Sequence, residues 1–97
     1  MNFNDPKPLK AAIAQFIKAH RMQSKLDEVD VQQAWDACFG SMVTRQTRSI
    51  RLQVGGKLWV KLDSGPLKEE LLMSKTKVVE RLNDHLGRKV VHELVIQ

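Results

Sequence analysis

The stretch of sequence that decides the fold covers residues 49–63 and reads SIRLQVGGKLWVKLD. Apolar and polar residues alternate on both sides of the Gly-Gly pair, which predicts a β-hairpin with one apolar and one polar face. A two-residue loop would mix buried and solvent-facing positions. We therefore predict the three-residue loop 55–57, which pairs Leu52 with Val60 and collects the apolar side chains on one face.

The polar face of this hairpin is basic and carries a tryptophan. The predicted register places Arg51 opposite Lys61 and Gln53 opposite Trp59. A basic pair beside an exposed indole is a suitable platform for a phosphate backbone and a stacked base. The alternative is that a terminal segment covers Trp59 and the two basic side chains extend into water.

The net charge of the 97-residue chain is +5, from 16 Lys and Arg against 11 Asp and Glu. The excess lies between residues 45 and 61, where five basic residues occur without an acid, and the other 11 basic and 11 acidic residues cancel. A local charge cluster steers polyanions, whereas a diffuse charge only aids solubility. The alternative is a solvated face that binds nothing. The residues predicted to bind nucleic acid are Arg45, Arg48, Arg51, Lys57, Trp59 and Lys61.

The sequence before the hairpin predicts two helices. Residues 1–7 are expected to form a loose lead-in, followed by an amphipathic helix over 8–20. After a polar stretch, Asp30 and Gln33 have the spacing of a capping box at the start of a second helix, which Gly40 would end. The residues that recur at helical spacing in the first helix are Leu9, Ile13, Phe16, Ile17 and His20.

The sequence after the hairpin predicts one long helix and a last strand. The helix would begin at Pro66 and end at Gly87, and the strand would cover 89–96. The order α-α-β-β-α-β predicts an α+β fold, with helices packed on one face of a three-stranded sheet. No linker or repeat divides the chain, so we expect a single domain over 1–97.

Several classes of protein are excluded by composition and motifs. No apolar run approaches the roughly 18 residues of a membrane helix, and the start of the chain lacks the features of a signal peptide. The single cysteine, Cys38, fits a reducing compartment, and we expect a cytoplasmic protein without membrane contact. His20, His85 and His92 have no metal-ligand spacing, and no catalytic or nucleotide-binding motif occurs. We therefore expect no enzyme activity, no cofactor and no metal.

A set of short motifs in a fixed order extends over residues 25–97. They are Val31-x-x-Ala34-Trp35 with Gly40, Arg45-Gln46-Thr47, Gly56-Lys57-Leu58-x-Val60, Ser64-x-x-Leu67-x-x-Glu70-Leu71, Lys75, Leu82-Asn83, Gly87 and the Val-rich final strand. In order and spacing this set resembles the DciA family of bacterial replicative-helicase loaders, in the short single-domain form of Bacteroidetes members.

The resemblance implies a KH-like fold and a role in chromosome replication, with the hexameric replicative helicase and single-stranded or fork DNA as partners. Gln46 stands where the family usually has His, so the role of that position is not transferred. The chain ends at Gln97, whereas many relatives continue into a C-terminal tail. The Gly-x-x-Gly loop of nucleic-acid-binding KH modules is absent, so binding in the usual KH groove is not expected.

Three functional hypotheses follow. The first is a non-enzymatic DNA-binding adaptor that helps load or operate the helicase and contacts phosphates through the basic hairpin. The second is a module that binds only the helicase, with Trp59 as an interface anchor. The third is an RNA-binding KH-like factor, which rests on fold analogy alone.

Overall fold

The structure, a computed structural model, describes residues 6–97. It confirms the α+β class and the three-stranded sheet with helices packed against it. Of the predicted lead-in over 1–7, the first five residues lie outside the described part, and Pro6 and Lys7 already belong to a helix. The elements are α1 Pro6–Gln46, β1 Thr47–Gln53, β2 Lys57–Leu62, α2 Gly65–Met73, α3 Lys75–Leu86 and β3 Glu93–Ile96.

Helix α1 replaces the two helices predicted before the hairpin. The expected interruption after residue 20 and the capping box at Asp30 are wrong, because the helix is continuous through both. The stretch 21–28 is polar, but it contains neither Gly nor Pro and consists mostly of residues with good helix propensity. Asp30 instead pairs with Arg88, at 3.1 Å between the carboxylate and guanidinium atoms.

Gly40 interrupts α1 near its end rather than terminating it. Its φ of 79° and ψ of 179° lie in a region that is essentially restricted to glycine. The helix resumes after this kink and continues to Gln46. Thr44 donates a hydrogen bond to the Gly40 carbonyl at 2.9 Å, which satisfies one of the backbone acceptors at the break.

The sheet has the strand order β1-β2-β3, with β1 and β2 antiparallel and β2 and β3 parallel. The loop of the hairpin has the predicted length of three residues but covers 54–56 instead of 55–57. Consequently Leu52 lies opposite Leu58 and not opposite Val60. The pairing shifts by two positions, so each side chain keeps the face that its place in the alternation predicts.

Gly56, the last residue of the loop, packs against the segment before β3. Its φ is +86°, and a Cβ atom added there would contact the His92 ring and approach the Val90 carbonyl oxygen to 2.7 Å. Its own carbonyl accepts hydrogen bonds from His92 and Glu93 at 2.8 and 3.2 Å. Glycine is therefore required at position 56, where the turn passes under the segment before β3.

The long helix predicted after the hairpin is two helices that meet at Ser74. Ser64 caps α2 by accepting a hydrogen bond from the Leu67 N–H at 3.3 Å. At the other end of α2, the Ser74 N–H donates a hydrogen bond to the Leu71 carbonyl at 3.1 Å, and α3 begins at the next residue. Serine is unfavourable inside helices and favourable at their ends, a preference that the continuous apolar stripe concealed.

The core lies between the sheet and the helices. Trp35 of α1 is fully buried, and its indole N–H donates to the Thr47 hydroxyl at 3.1 Å. Two further α1 side chains cover the outer edge of β1, since Gln32 donates to the Ile50 carbonyl and Glu28 accepts from the Leu52 N–H. The buried residues are Val31, Ala34, Trp35, Leu58, Val60, Leu71, Val78, Leu82, Val90, Val91, Leu94 and Ile96.

Asn83 of α3 fastens the segment that leads into β3. Its side-chain oxygen accepts from the N–H groups of Val90 and Val91 at 3.0 and 2.9 Å, and its amide donates to the Val91 carbonyl at 2.8 Å. This contact positions β3 so that Leu94 and Ile96 point into the core. Within residues 6–97, no helix has the length and apolarity needed to span a membrane.

Candidate nucleic-acid interface

The face of the sheet turned away from the core, here called the outer face, holds four of the residues predicted to bind nucleic acid. The register places Arg51 of β1 directly opposite Trp59 of β2, and Val95 of β3 on the other side of that indole. Lys57 and Lys61 lie two residues before and after Trp59 on the same strand, and so on the same face. The expected Arg51–Lys61 pair is wrong, since Lys61 faces Ser49.

Trp59 is half-buried in the middle of this face, with its ring covered by a lysine. The Lys57 ammonium lies 4.9 Å from the centre of the indole ring, a cation–π contact. Such a contact contributes about 0.5–1 kcal/mol at exposed sites, whereas stacking of a base contributes about 1–3 kcal/mol. A base can therefore displace Lys57 from the ring and leave its ammonium available for a phosphate.

The indole N–H of Trp59 does not contribute to this surface. The nitrogen is buried and has no acceptor among residues 6–97. The side chain therefore presents its ring and not its hydrogen-bond donor. Recognition through a ring face is tolerant of base identity, because every base can stack.

Arg48 and Arg45 lie apart from this group, at the end of the hairpin where α1 joins β1. Arg48 occupies the irregularity between Thr47 and Ser49 and pairs with Asp63 at 3.0 Å. Both partners are largely exposed, and a surface pair of this kind contributes less than about 1 kcal/mol. Arg45 is exposed in the last turn of α1.

Two carboxylates moderate the charge of the outer face. Glu93 of β3 lies opposite Lys57 in the parallel register. Glu28 of α1 is 3.9 Å from the Arg51 guanidinium, while its other oxygen accepts the Leu52 N–H. The outer face is thus cationic, with Arg51, Lys57 and Lys61 against Glu93 and the neighbouring Glu28, and is less strongly charged than the sequence cluster predicted.

A separate cleft lies between α3 and β3. It is open, has a volume of about 860 Å³ and contains none of the predicted site residues. Lys75, Arg88 and Lys89 line it together with Glu80, Asp84 and Glu93, so it lacks the single sign of charge that a polyanion requires. No group of three or more His, Cys, Asp or Glu side chains in residues 6–97 is arranged to hold a metal ion.

Arg88 at the rim of this cleft has a structural role. It contacts Asp27 at 2.8 Å and Asp30 at 3.1 Å, and so ties the segment after α3 to α1. The hydrogen bond to Asp27 raises the pKa of Arg88 above its ordinary value. The guanidinium is committed to these two carboxylates and is not part of the candidate interface.

A second segment that is both basic and apolar was not identified as a candidate surface from the sequence. Residues 6–26 contain five basic residues and no acid. This local positive charge is not visible when charges are summed over all residues outside 45–61, because acids elsewhere cancel it. Four apolar residues that recur at helical spacing in this segment are exposed: Leu9, Ile13, Phe16 and Ile17. Separate charge counts for each predicted helix would have revealed the segment.

The chain matches a known protein family. The family model described as "Dna[CI] antecedent, DciA" matches residues 8–96, nearly the whole chain. No curated protein is significantly similar to the chain.

Proposed function

Because the chain belongs to the DciA family, which is associated with loading of the replicative helicase, we propose that it is a DNA-binding adaptor for that helicase. The adaptor carries out no chemistry of its own, and any ATP dependence of loading belongs to the helicase. It acts in the cytoplasm, on the chromosome, as a single domain.

The observation that supports DNA contact is the arrangement of the outer face. Arg51, Lys57 and Lys61 surround the ring of Trp59 on an open sheet surface. Cations around an aromatic platform are typical of proteins that bind single strands with little sequence preference. In this proposal the cations contact phosphates, and one unpaired base stacks on Trp59 after displacing Lys57.

The number of phosphate contacts determines the salt dependence of binding. For a single strand, each contact contributes roughly −0.7 to the slope of log affinity against log salt. The three cations of the outer face therefore give a slope of about −2, and addition of Arg45 and Arg48 gives about −3.5. The measurement separates binding by the outer face alone from binding along the whole hairpin.

The direct test is binding of fluorescein-labelled single-stranded DNA, measured by anisotropy at several salt concentrations. Arg51→Glu/Lys61→Glu should abolish measurable binding. Lys75→Glu/Lys77→Glu is the matched control, because it makes the same change of charge at exposed positions of α3 and should leave the affinity within about twofold. Equal losses in both variants would mean that binding depends on total charge, and the outer face would no longer be the site.

Co-purification with the replicative helicase of the same organism tests the second half of the proposal. Wild type should bind the helicase and increase its deposition on single-stranded DNA. If Trp59→Ala loses the helicase and keeps DNA binding, the outer face is instead a protein interface. Competition with duplex DNA and RNA identifies the preferred polymer, and a preference for RNA would favour an RNA-binding factor.

A further inference from the structure

Helix α1 extends well past the sheet. It runs antiparallel to β1, because Gln32 contacts Ile50 and Glu28 contacts Leu52 one turn earlier. The same progression brings the helix alongside the hairpin turn near Ser24, which lines a small pocket together with Val54. Residues 8–20, here called the arm, therefore project about 18 Å beyond the turn. The greatest dimension of the chain, 61 Å, reflects this projection.

The arm carries an apolar stripe that continues the core-facing side of α1. At 100° per residue, its members lie within about 100° of one another, on the side that carries Val31 and Trp35 further along the helix. In the body of the protein that side is fully buried, whereas in the arm it is exposed. Phe16 is 72% exposed and makes a stacked contact with His20, at 6.2 Å between the ring centres. The stripe consists of Leu9, Ile13, Phe16 and Ile17.

The basic residues of the same segment lie along one border of the stripe. Lys10, Lys18, Arg21 and Lys25 fall within about 80° of one another around the helix. The first acid of α1 is Asp27, which is already paired with Arg88. The arm is thus an apolar surface with a cationic border, and a partner that covers it must be apolar with an acidic border.

Charge and shape indicate which kind of partner can cover the apolar stripe of the arm. In a two-fold dimer the same patch meets itself, so the cationic borders of two arms would lie together and repel. A flat bilayer would be held away from the stripe, because the sheet and the hairpin turn stand on the same side of α1. The arm instead extends about 18 Å beyond the turn, which is long enough to contact a rod about 10–12 Å wide, the diameter of an α-helix with its side chains.

We infer that the arm is the helicase-docking surface of this chain, and that it receives an amphipathic helix of the helicase whose apolar side is bordered by Asp or Glu. This inference rests on the proposed function. It assigns helicase and DNA to different surfaces of the molecule, the arm and the outer face.

The test measures binding of the purified replicative helicase to the full chain by biolayer interferometry, with DNA binding measured in parallel. Ile13→Glu/Phe16→Glu should weaken helicase binding by about 30-fold or more, since apolar anchors at the centre of an interface dominate its affinity. DNA binding should stay within about threefold. Circular dichroism and sedimentation velocity should show an unchanged helix content and an unchanged monomer mass.

Met22→Glu/Leu26→Glu is the matched control. These two residues are each 56% exposed on the opposite side of α1, and their replacement makes the same change in charge and in apolar surface. The control should bind the helicase like wild type. Equal binding by both variants, or an equal loss in both, would overturn the inference. The inference would also be overturned if the stripe variant lost DNA binding and kept helicase binding. It would equally be overturned if wild type were a dimer and the stripe variant a monomer.

Failure of the proposed function and failure of the docking assignment give different results. If wild type does not bind the helicase, the proposed function itself is wrong. If wild type binds and the stripe variant binds equally well, only the assignment of the arm is wrong.

Discussion

Replacement of Gly56 by alanine should damage the fold far more than the same change at its neighbour Gly55. Both glycines have positive φ, +86° and +95°, so either alanine costs about 1–2 kcal/mol of conformational energy. Only at Gly56 does the new Cβ meet other atoms, the His92 ring and the backbone carbonyl of Val90 at 2.7 Å. A backbone atom cannot rotate away, and such overpacking costs about a further 1–3 kcal/mol.

The expected free energies of unfolding therefore fall by about 1–2 kcal/mol for Gly55→Ala and by about 2–5 kcal/mol for Gly56→Ala. Urea denaturation followed by circular dichroism measures both, and thermal melts should separate the variants by at least about 4 °C. Gly55 is the internal control, since nothing lies within 4 Å of the position that an alanine Cβ would take there. Equal destabilisation would refute the packing of the hairpin turn under the segment before β3.

Three further predictions concern single side chains. Asn83→Ala should lower the free energy of unfolding by about 2–4 kcal/mol in urea denaturation, because it removes three hydrogen bonds to residues 90–91; a loss under about 1 kcal/mol would contradict this role. Trp59→Ala should weaken single-stranded DNA binding by about 5- to 150-fold in anisotropy titrations, with Trp59→Phe between it and wild type, and unchanged affinity would exclude stacking. Arg48→Ala should change stability by less than about 1 kcal/mol, since its pair with Asp63 is exposed, and should leave the salt slope of DNA binding near about −2 if only the outer face binds.

The sequence predicted which side chains of the hairpin share a face, because alternation alone determines that property. It therefore placed Arg51, Trp59 and Lys61 together on the polar side. It did not predict which of them lie opposite each other. That detail depends on where the turn begins, which alternation does not determine, because a shift of the pairing by two positions keeps every side chain on its face.

For the helices as well, local sequence pattern predicted the secondary structure but not the contacts with distant parts of the chain. The apolar spacing correctly indicated helical structure in the arm. Periodicity cannot reveal whether another part of the chain covers an apolar side, so the exposure of Phe16 became apparent only from the length of α1 beyond the sheet. The break at Ser74 was missed because the apolar stripe continues from α2 into α3.

The acids of α1 explain why two separate cationic surfaces remain available. All four lie between the basic segments 6–26 and 45–61, and three of them contact other elements of the fold. The four are Asp27, Glu28, Asp30 and Asp36. Asp27 and Asp30 bind Arg88, and Glu28 covers the edge of β1. Because these three carboxylates are paired within the fold, none of them opposes the charge of the arm, and on the hairpin only Arg51 lies near one of them, Glu28. The net charge of +5 therefore understates the local fields, which are positive on the arm and on the hairpin and separated by an acidic band that keeps α1 on the sheet.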